Sequence, residues 1–209
     1  MIGNQSNNHS VPISDFSFEQ NQTVNRILIF IKNSLPEFQS VFVNSNSNFR
    51  IEDDISKELF RYFNDKSRSE NLLIHFNEKK GIDFTVFAQP FVMGAPPIFM
   101  IEAKRLSKKH YDYVSGRTGG IERIKREQEE FGSHLNNGAM IAYIQDHDTV
   151  YWEDRINTWI DDLIHKETDI EWNEQDKLVV NNGFSDFIST HKRVSKAQIT
   201  LFHYWIALH

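Results

Sequence analysis

Residues 81–104, GIDFTVFAQPFVMGAPPIFMIEAK, contain two apolar runs separated by a segment rich in proline and glycine. Apolar runs on either side of such a segment predict two antiparallel strands joined as a β-hairpin. If the hairpin is symmetric about residues 92 and 93, Asp83 lies opposite Glu102. Lys104 is two residues beyond Glu102 and therefore points to the same face of the sheet. The stretch thus predicts two carboxylates and one amine at one end of neighbouring strands.

This arrangement of charges suggests a metal site. Two carboxylates held this close repel each other, and a bound cation relieves the repulsion. An all-oxygen ligand set favours a hard ion, with Mg²⁺ as the first candidate and Mn²⁺ as the second. Lys104 would then orient an attacking water or stabilise charge on a phosphate. The competing interpretation is a salt bridge at a surface strand end, because 15 Glu and 13 Lys produce about one Glu-x-Lys by chance.

The composition is that of a soluble globular protein. The chain has 209 residues, a formal net charge of −6 and no cysteine, which excludes disulfides and cysteine-based zinc sites. No apolar run approaches the length of a membrane span, and the N-terminus lacks a signal-peptide pattern, so we expect a cytoplasmic protein without a membrane partner. Nucleic acid would need a local basic face, and residues 101–126 provide one, with eight Lys and Arg against three acids.

Periodic patterns predict the elements around the hairpin. Helices are expected at residues 22–34 (ended by Pro36), 50–66, 121–135 and 153–165, and strands at 72–76, 139–144 and 198–208. Residues 37–43 fit a short helix or a strand, and 166–190 are mixed. Residues 1–15 are expected to be a frayed or disordered tail, followed by a single domain over residues 16–209. The strand at 139–144 follows a helix and should therefore lie parallel to the second hairpin strand.

Over residues 50–145 the chain resembles the PD-(D/E)xK nuclease superfamily. The motifs that carry this resemblance are GIDF, MIEAKRL, the helix RIEDDISKELFRYF before them and the helix GGIERIKREQEEF after them. Ile82 stands where the superfamily's name has proline. The resemblance implies an α/β, restriction-endonuclease-like core, which is a central mixed sheet flanked by helices in the order α-β-β-β-α-β.

The resemblance also assigns roles to residues. Catalysis would fall to Asp83, Glu102 and Lys104. The metal ligands would be Glu52, Asp83, Glu102 and the carbonyl of Ala103, with Glu58 as the second choice for the helix acid. Phosphate or DNA contacts would come from Arg105, Arg123, Arg126 and Gln128.

The expected function is therefore a Mg²⁺-dependent DNA endonuclease. Restriction or phage defence follows by analogy with the superfamily only. RNA stays open as a substrate, and a homo-oligomer or a partner protein would supply targeting. Two alternatives remain. One is a catalytically inactive module on the same fold that binds nucleic acid or protein, and the other is a purely structural salt bridge.

Other polar groups have two interpretations each. Asp146, His147 and Asp148 form either a metal-binding group or, as we favour, a solvated turn. Ser189, His191 and Arg193 either face phosphate or belong to a basic loop, and the loop is slightly favoured. We expect His203 to be a core histidine with satisfied hydrogen bonds. Tyr111 and Tyr113 would either stack on bases or cap the edge of the core.

Overall fold

The computed structural model describes residues 14–45, 51–77, 81–90, 92–107, 111–116, 119–128 and 134–209, with side chains described from residue 22 onward. The helices are α1 (Ser14–Asn44), α2 (Glu52–Ser67), α3 (Gly120–Lys125) and α4 (Thr149–Ile164). The strands are β1 (Leu72–Phe76), β2 (Phe84–Ala88), β3 (Phe99–Leu106), β4 (Asn137–Ile144), β5 (Val179–Val180), β6 (Phe187–Lys192) and β7 (Gln198–Ala207). Short 3₁₀ turns occupy Arg68–Glu70, Tyr111–Tyr113 and Glu174–Asp176.

The strands form one mixed sheet in the order β1-β2-β3-β4-β7-β6-β5. The three central strands β3, β4 and β7 run parallel, and an antiparallel strand pair completes the sheet on each side. The central strands β3 and β4 are buried along almost their whole length because both faces of the sheet are covered. The expected α/β class with a mixed sheet between helices is confirmed, and the finer likeness to a restriction-endonuclease core stays a prediction.

Two apolar clusters cover the two faces of the sheet. The first joins α1 and α2 to the sheet through residues such as Ile31, Leu59 and Phe84. The second joins α3 and α4 to the other face through residues such as Ile124 and Ile156. No helix among the described residues has the length and apolar character needed to cross a membrane.

Two predicted helix ends are wrong. Pro36 does not stop a helix but lies inside α1. Proline removes one helix hydrogen bond, and burial of the neighbouring Leu35, Phe38 and Phe42 against the sheet offsets that loss. The helix predicted over residues 121–135 ends at Lys125, because Glu127 takes a left-handed φ of 52°. Residues 129–133 lie outside the described part of the chain.

The other element predictions have mixed outcomes. The strands at 72–76, 139–144 and 198–208 are confirmed, and the last is central in the sheet. Residues 37–43 belong to α1, and the helix predicted from 153 begins at Thr149, where the Asp148 carboxylate caps the Tyr151 N–H. The predicted tail lies outside the described residues except for its last two, which begin α1.

A buried polar chain crosses the second face of the sheet. The Tyr113 hydroxyl lies 2.7 Å from His203 Nδ1, and Ser189 Oγ lies 2.7 Å from His203 Nε2 and 2.6 Å from His191 Nε2. His191 Nδ1 lies 2.5 Å from Asp176 Oδ1. The core position of His203 is confirmed. The favoured loop reading of Ser189, His191 and Arg193 is wrong, because the first two lie in β6 and all three are buried.

Packing against the second apolar cluster decides between the two interpretations of Tyr111 and Tyr113. Tyr113 is fully buried, and Tyr111 packs edge-on against Trp159 with ring centroids 5.4 Å apart. Both therefore close the edge of the core, which leaves no accessible ring face on Tyr113 for a base.

We predict that this buried chain makes the protein sensitive to acid. Burial lowers the pKa of His203 well below its ordinary value, and the nearby His191 lowers it further. The groups that contact the His203 ring nitrogens are the hydroxyls of Tyr113 and Ser189. Below about pH 6.5 this histidine therefore binds a proton in the unfolded chain but not in the folded chain. As the pH falls below that value, the free energy of unfolding should decrease by up to about 1.4 kcal/mol per pH unit for this histidine.

Chemical denaturation between pH 7.5 and 5 measures this slope. His203→Gln should be less stable at pH 7.5 but show a shallower slope, whereas replacement of the exposed His165 by Gln should leave the slope unchanged. An unchanged slope in His203→Gln would contradict the assignment.

Candidate active site

The hairpin register brings the two predicted acids together. Phe84 pairs with Ile101, Thr85 with Met100 and Val86 with Phe99. Asp83 precedes Phe84 and Glu102 follows Ile101, so the same register sets Asp83 opposite Glu102. The cross-strand pair expected from hairpin symmetry is confirmed.

Strand β3 continues beyond the point where β2 begins, and two carboxylates complete its hydrogen bonding there. The Ala103 N–H donates to Asp83 Oδ2 at 2.7 Å, and the Arg105 N–H donates to Glu52 Oε2 at 2.7 Å. Both N–H groups point to the side from which β2 is missing, because alternate residues of a strand present their N–H groups in the same direction. Glu52 is the first residue of α2. The site therefore lies in a notch beside the part of β3 that β2 leaves unpaired, between β3 and the start of α2.

Asn77 fixes the backbone that carries Asp83. Its N–H donates to the Asp83 carbonyl at 2.9 Å, and its side-chain Nδ2 donates to the Ile82 carbonyl at 2.7 Å. Sequence reasoning placed Asn77 in a polar turn and gave it no role. The available signal was its residue type, since asparagine beside a turn commonly bonds to nearby backbone.

Lys104 occupies the centre of the group. Its Nζ lies 2.9 Å from Glu102 Oε1, 3.1 Å from Glu52 Oε1 and 3.1 Å from the Ala103 carbonyl oxygen. Burial alone would lower the pKa of this amine, but the charges of Glu102, Glu52 and Asp83 together raise it above its ordinary value. In this arrangement Lys104 is therefore protonated and donates hydrogen bonds to the surrounding oxygen atoms.

Arg123 completes the group from the other layer. Its Nη1 lies 3.4 Å from Glu102 Oε1. Helix α3 begins close to the sheet, since a Cβ on its first residue, Gly120, would lie 2.5 Å from Met140 Cε on β4, and a Cβ on the preceding Gly119 would lie 2.5 Å from the Ser115 backbone. The side chains become more exposed from the centre outward: Glu102 1%, Lys104 9%, Arg123 14% and Glu52 29%. Solvent, and hence a ligand, reaches the group past Arg123 and Glu52.

The inner carboxylates are electrostatically unbalanced. Glu102 Oε2 is buried and has no hydrogen-bond partner among the described residues. Burial raises the pKa of Asp83 to about 8, and the charge of Glu102 contributes in the same direction. A buried carboxylate oxygen without a donor costs free energy, and such costs concentrate at functional sites.

The remaining predicted residues are not gathered here. Glu58 pairs with Arg61 on its own helix, which makes Glu52 the helix acid. Arg126 binds Glu122 and forms a two-pronged pair with Asp169 at 2.6 and 2.5 Å. Gln128 is exposed, and the half-buried Arg105 brings its backbone N–H to the site. Asp148 is a helix cap, in agreement with the turn predicted at 146–148.

The residues present fit a hard cation in their donor chemistry. Glu102 Oε2, Asp83, the Ala103 carbonyl and Glu52 are all oxygen donors, the type that Mg²⁺ and Mn²⁺ prefer. Within the described ranges, however, no three or more His, Cys, Asp or Glu side chains are arranged as a ready metal site. The Lys104 ammonium instead contacts Glu52 Oε1, the Ala103 carbonyl and the other oxygen of Glu102, Oε1.

We predict that Asp83 lowers stability in the absence of divalent ions. Its folded-state pKa is near 8, whereas an unfolded carboxyl ionises near 4. Between these two pKa values the folded state holds a proton that the unfolded state has released. The free energy of unfolding therefore falls as the pH rises through this range. Asp83→Asn retains an acceptor for the Ala103 N–H and should raise the free energy of unfolding at pH 8 by about 1 kcal/mol or more, roughly 2–4 °C in Tm.

Thermal melts in EDTA at pH 5 and pH 8 measure the effect, which should be smaller at pH 5. Asp65→Asn, at an exposed position of the same helix as Glu52, is the control and should show no such pH dependence. A lower Tm for Asp83→Asn at pH 8 would contradict the assignment.

Comparisons with known proteins add no relative to this description. Searches against protein-family models, curated proteins and solved structures gave no match. The resemblance to the PD-(D/E)xK superfamily therefore stays a prediction that depends on GIDF, MIEAKRL and the helices before and after them.

Proposed function

We propose that the protein is a metal-dependent nuclease that hydrolyses DNA phosphodiester bonds. The observation that carries the proposal is the notch itself, where Glu52, Asp83 and Glu102 converge around Lys104 and, within the described part of the chain, one oxygen of Glu102 is buried without a partner. A surface salt bridge requires neither a third acid nor an unsatisfied buried oxygen. The choice of DNA, and any role in restriction or phage defence, comes from the resemblance.

Four groups would hold the ion. Asp83, Glu102 and the Ala103 carbonyl form its inner side, and Glu52 closes the outer side from α2. When bound, a divalent cation stabilises charge on a phosphoryl oxygen and makes a nearby water more acidic. Mg²⁺ is the expected ion, and Mn²⁺ satisfies the same donors.

The two cationic side chains act on the substrate. Lys104 lies beside Glu102 and Glu52, and as an ammonium group it would donate hydrogen bonds that hold an attacking water or a phosphate oxygen in place. Arg123 presents a planar guanidinium beside Glu102, which suits the non-bridging oxygens of a phosphodiester. Each therefore stabilises negative charge that grows during hydrolysis.

A second candidate function is a catalytically inactive module that binds nucleic acid or protein. The contacts of Lys104 favour it, because the ammonium and Arg123 already balance the charges of Glu102 and Glu52 without another cation. Such a module would bind its ligand in EDTA and would not cleave.

We predict Mg²⁺-dependent cleavage that requires the notch. Supercoiled, linear and single-stranded DNA and RNA are incubated with the protein in Mg²⁺ or in EDTA. Lys104→Ala removes one donor to the developing charge and should lower the rate on DNA about 10²–10³-fold. Asp83→Ala should abolish cleavage.

Glu58→Gln is the matched control, since this acid lies on the same helix as Glu52 but pairs with Arg61, and it should cleave as the unaltered protein does. If Lys104→Ala and Asp83→Ala both cleave DNA as fast as the unaltered protein does, the assignment of the site is wrong. Binding that survives EDTA, with no cleavage in Mg²⁺, would support the inactive module.

A further inference from the structure

Helix α3 carries Arg123 to the site but is only six residues long. A helix this short is not stable on its own, so contacts outside it must fix its position. Residues two apart on a helix point about 200° away from each other. Lys125 therefore points away from the side of the helix that presents Arg123.

Lys125 is anchored in the interior on that opposite side. It is fully buried, and its Nζ lies 2.6 Å from Asp176 Oδ1 and 4.5 Å from the centre of the Trp172 ring. Asp176 is held in turn by His191 Nδ1 at 2.5 Å and by the Asn173 N–H at 2.8 Å. The anchor is thus the end of the buried polar chain that crosses β6 and β7.

The turn between β6 and β7 secures the segment after Lys125. The Val194 N–H donates to the Lys125 carbonyl at 2.9 Å. The Ser195 N–H and hydroxyl donate to the two oxygens of Glu127 at 3.1 and 2.9 Å. These contacts join α3 to the turn between β6 and β7, two strands that lie beyond β4 from the hairpin in the strand order.

We infer that Lys125 and Asp176 are positioning residues that set α3 so that Arg123 meets Glu102. An apolar pair of similar volume would fill the same space, often at no loss of stability, but it would lack a directional bond. The charged pair fixes the rotation and height of the helix, and hence the reach of Arg123. The effect on catalysis rests on the proposed function, whereas the effect on α3 does not.

Hydrogen exchange of the α3 amides tests the anchor without any activity. The amides to follow are Glu122, Arg123 and Arg126, which are bonded to Val114, Gly119 and Glu122. Lys125→Met should speed their exchange, and so should the double variant Lys125→Met/Asp176→Asn, which leaves no unpaired buried charge. Tyr204→Phe is the matched control, because it removes a buried hydrogen bond to Leu28 on the other face of the sheet and should leave α3 unchanged.

The double variant separates positioning from general stability. If removal of both charges restores global stability while the α3 amides still exchange faster, the pair positions the helix. If α3 regains full protection together with global stability, the inference is overturned. A failure of Lys125→Met to fold leaves the double variant to decide.

The cleavage assay tests the link to Arg123. Lys125→Met/Asp176→Asn should lower kcat about 10- to 100-fold with little change in KM. Arg123→Ala should then cost less in this background than in the unaltered protein. Loosened α3 amides with an unchanged kcat would refute the link. If the unaltered protein does not cleave at all, the proposed function fails, and hydrogen exchange alone decides whether the pair holds α3.

Discussion

Strand β3 extends past the start of β2, and the N–H groups left on its open edge shape the site. Asp83 and Glu52 accept those N–H groups, one from the turn before β2 and the other from the first turn of α2. Strand edges are usually satisfied by backbone or covered. Here carboxylates complete the edge, and the same contacts place them beside Glu102 and Lys104. The hydrogen bonds that complete the open edge of β3 therefore also bring the negative charges together.

The charge that results has to be balanced from several elements. The positive charges come from Lys104 on β3 itself and from Arg123 on α3. Burial and the charge of Glu102 together raise the pKa of Asp83. One Glu102 oxygen still has no partner among the residues that the structure describes. The rest of the fold supports this arrangement, since Asn77 fixes the Asp83 backbone and Lys125 anchors the short helix that bears Arg123. Loss of a remote contact can thus reach the site through α3.

The parts of this arrangement that depend on local spacing were predictable from the sequence. Symmetry of the hairpin about residues 92 and 93 predicted its register and the pairing of Asp83 with Glu102, and alternation placed Lys104 on the same face as Glu102. The helix acid was not decided, because Glu52 and Glu58 both border the buried face of α2 and only packing shows which one reaches β3. Helix α3 was predicted too long because contacts from Val194 and Ser195, distant in sequence, end it. That early end also sends Arg126 to Asp169.

We propose that the carboxylates of the notch hold a divalent cation in exchange for contacts now made by Lys104. The sharpest test is calorimetric titration of Mg²⁺ and Mn²⁺ into the protein and into Glu102→Gln at the same pH. We expect saturable binding that is lost in Glu102→Gln and retained in Glu58→Gln. Absence of binding in the unaltered protein, or equal binding in Glu102→Gln, would contradict it and leave the notch as a structural ion-pair cluster.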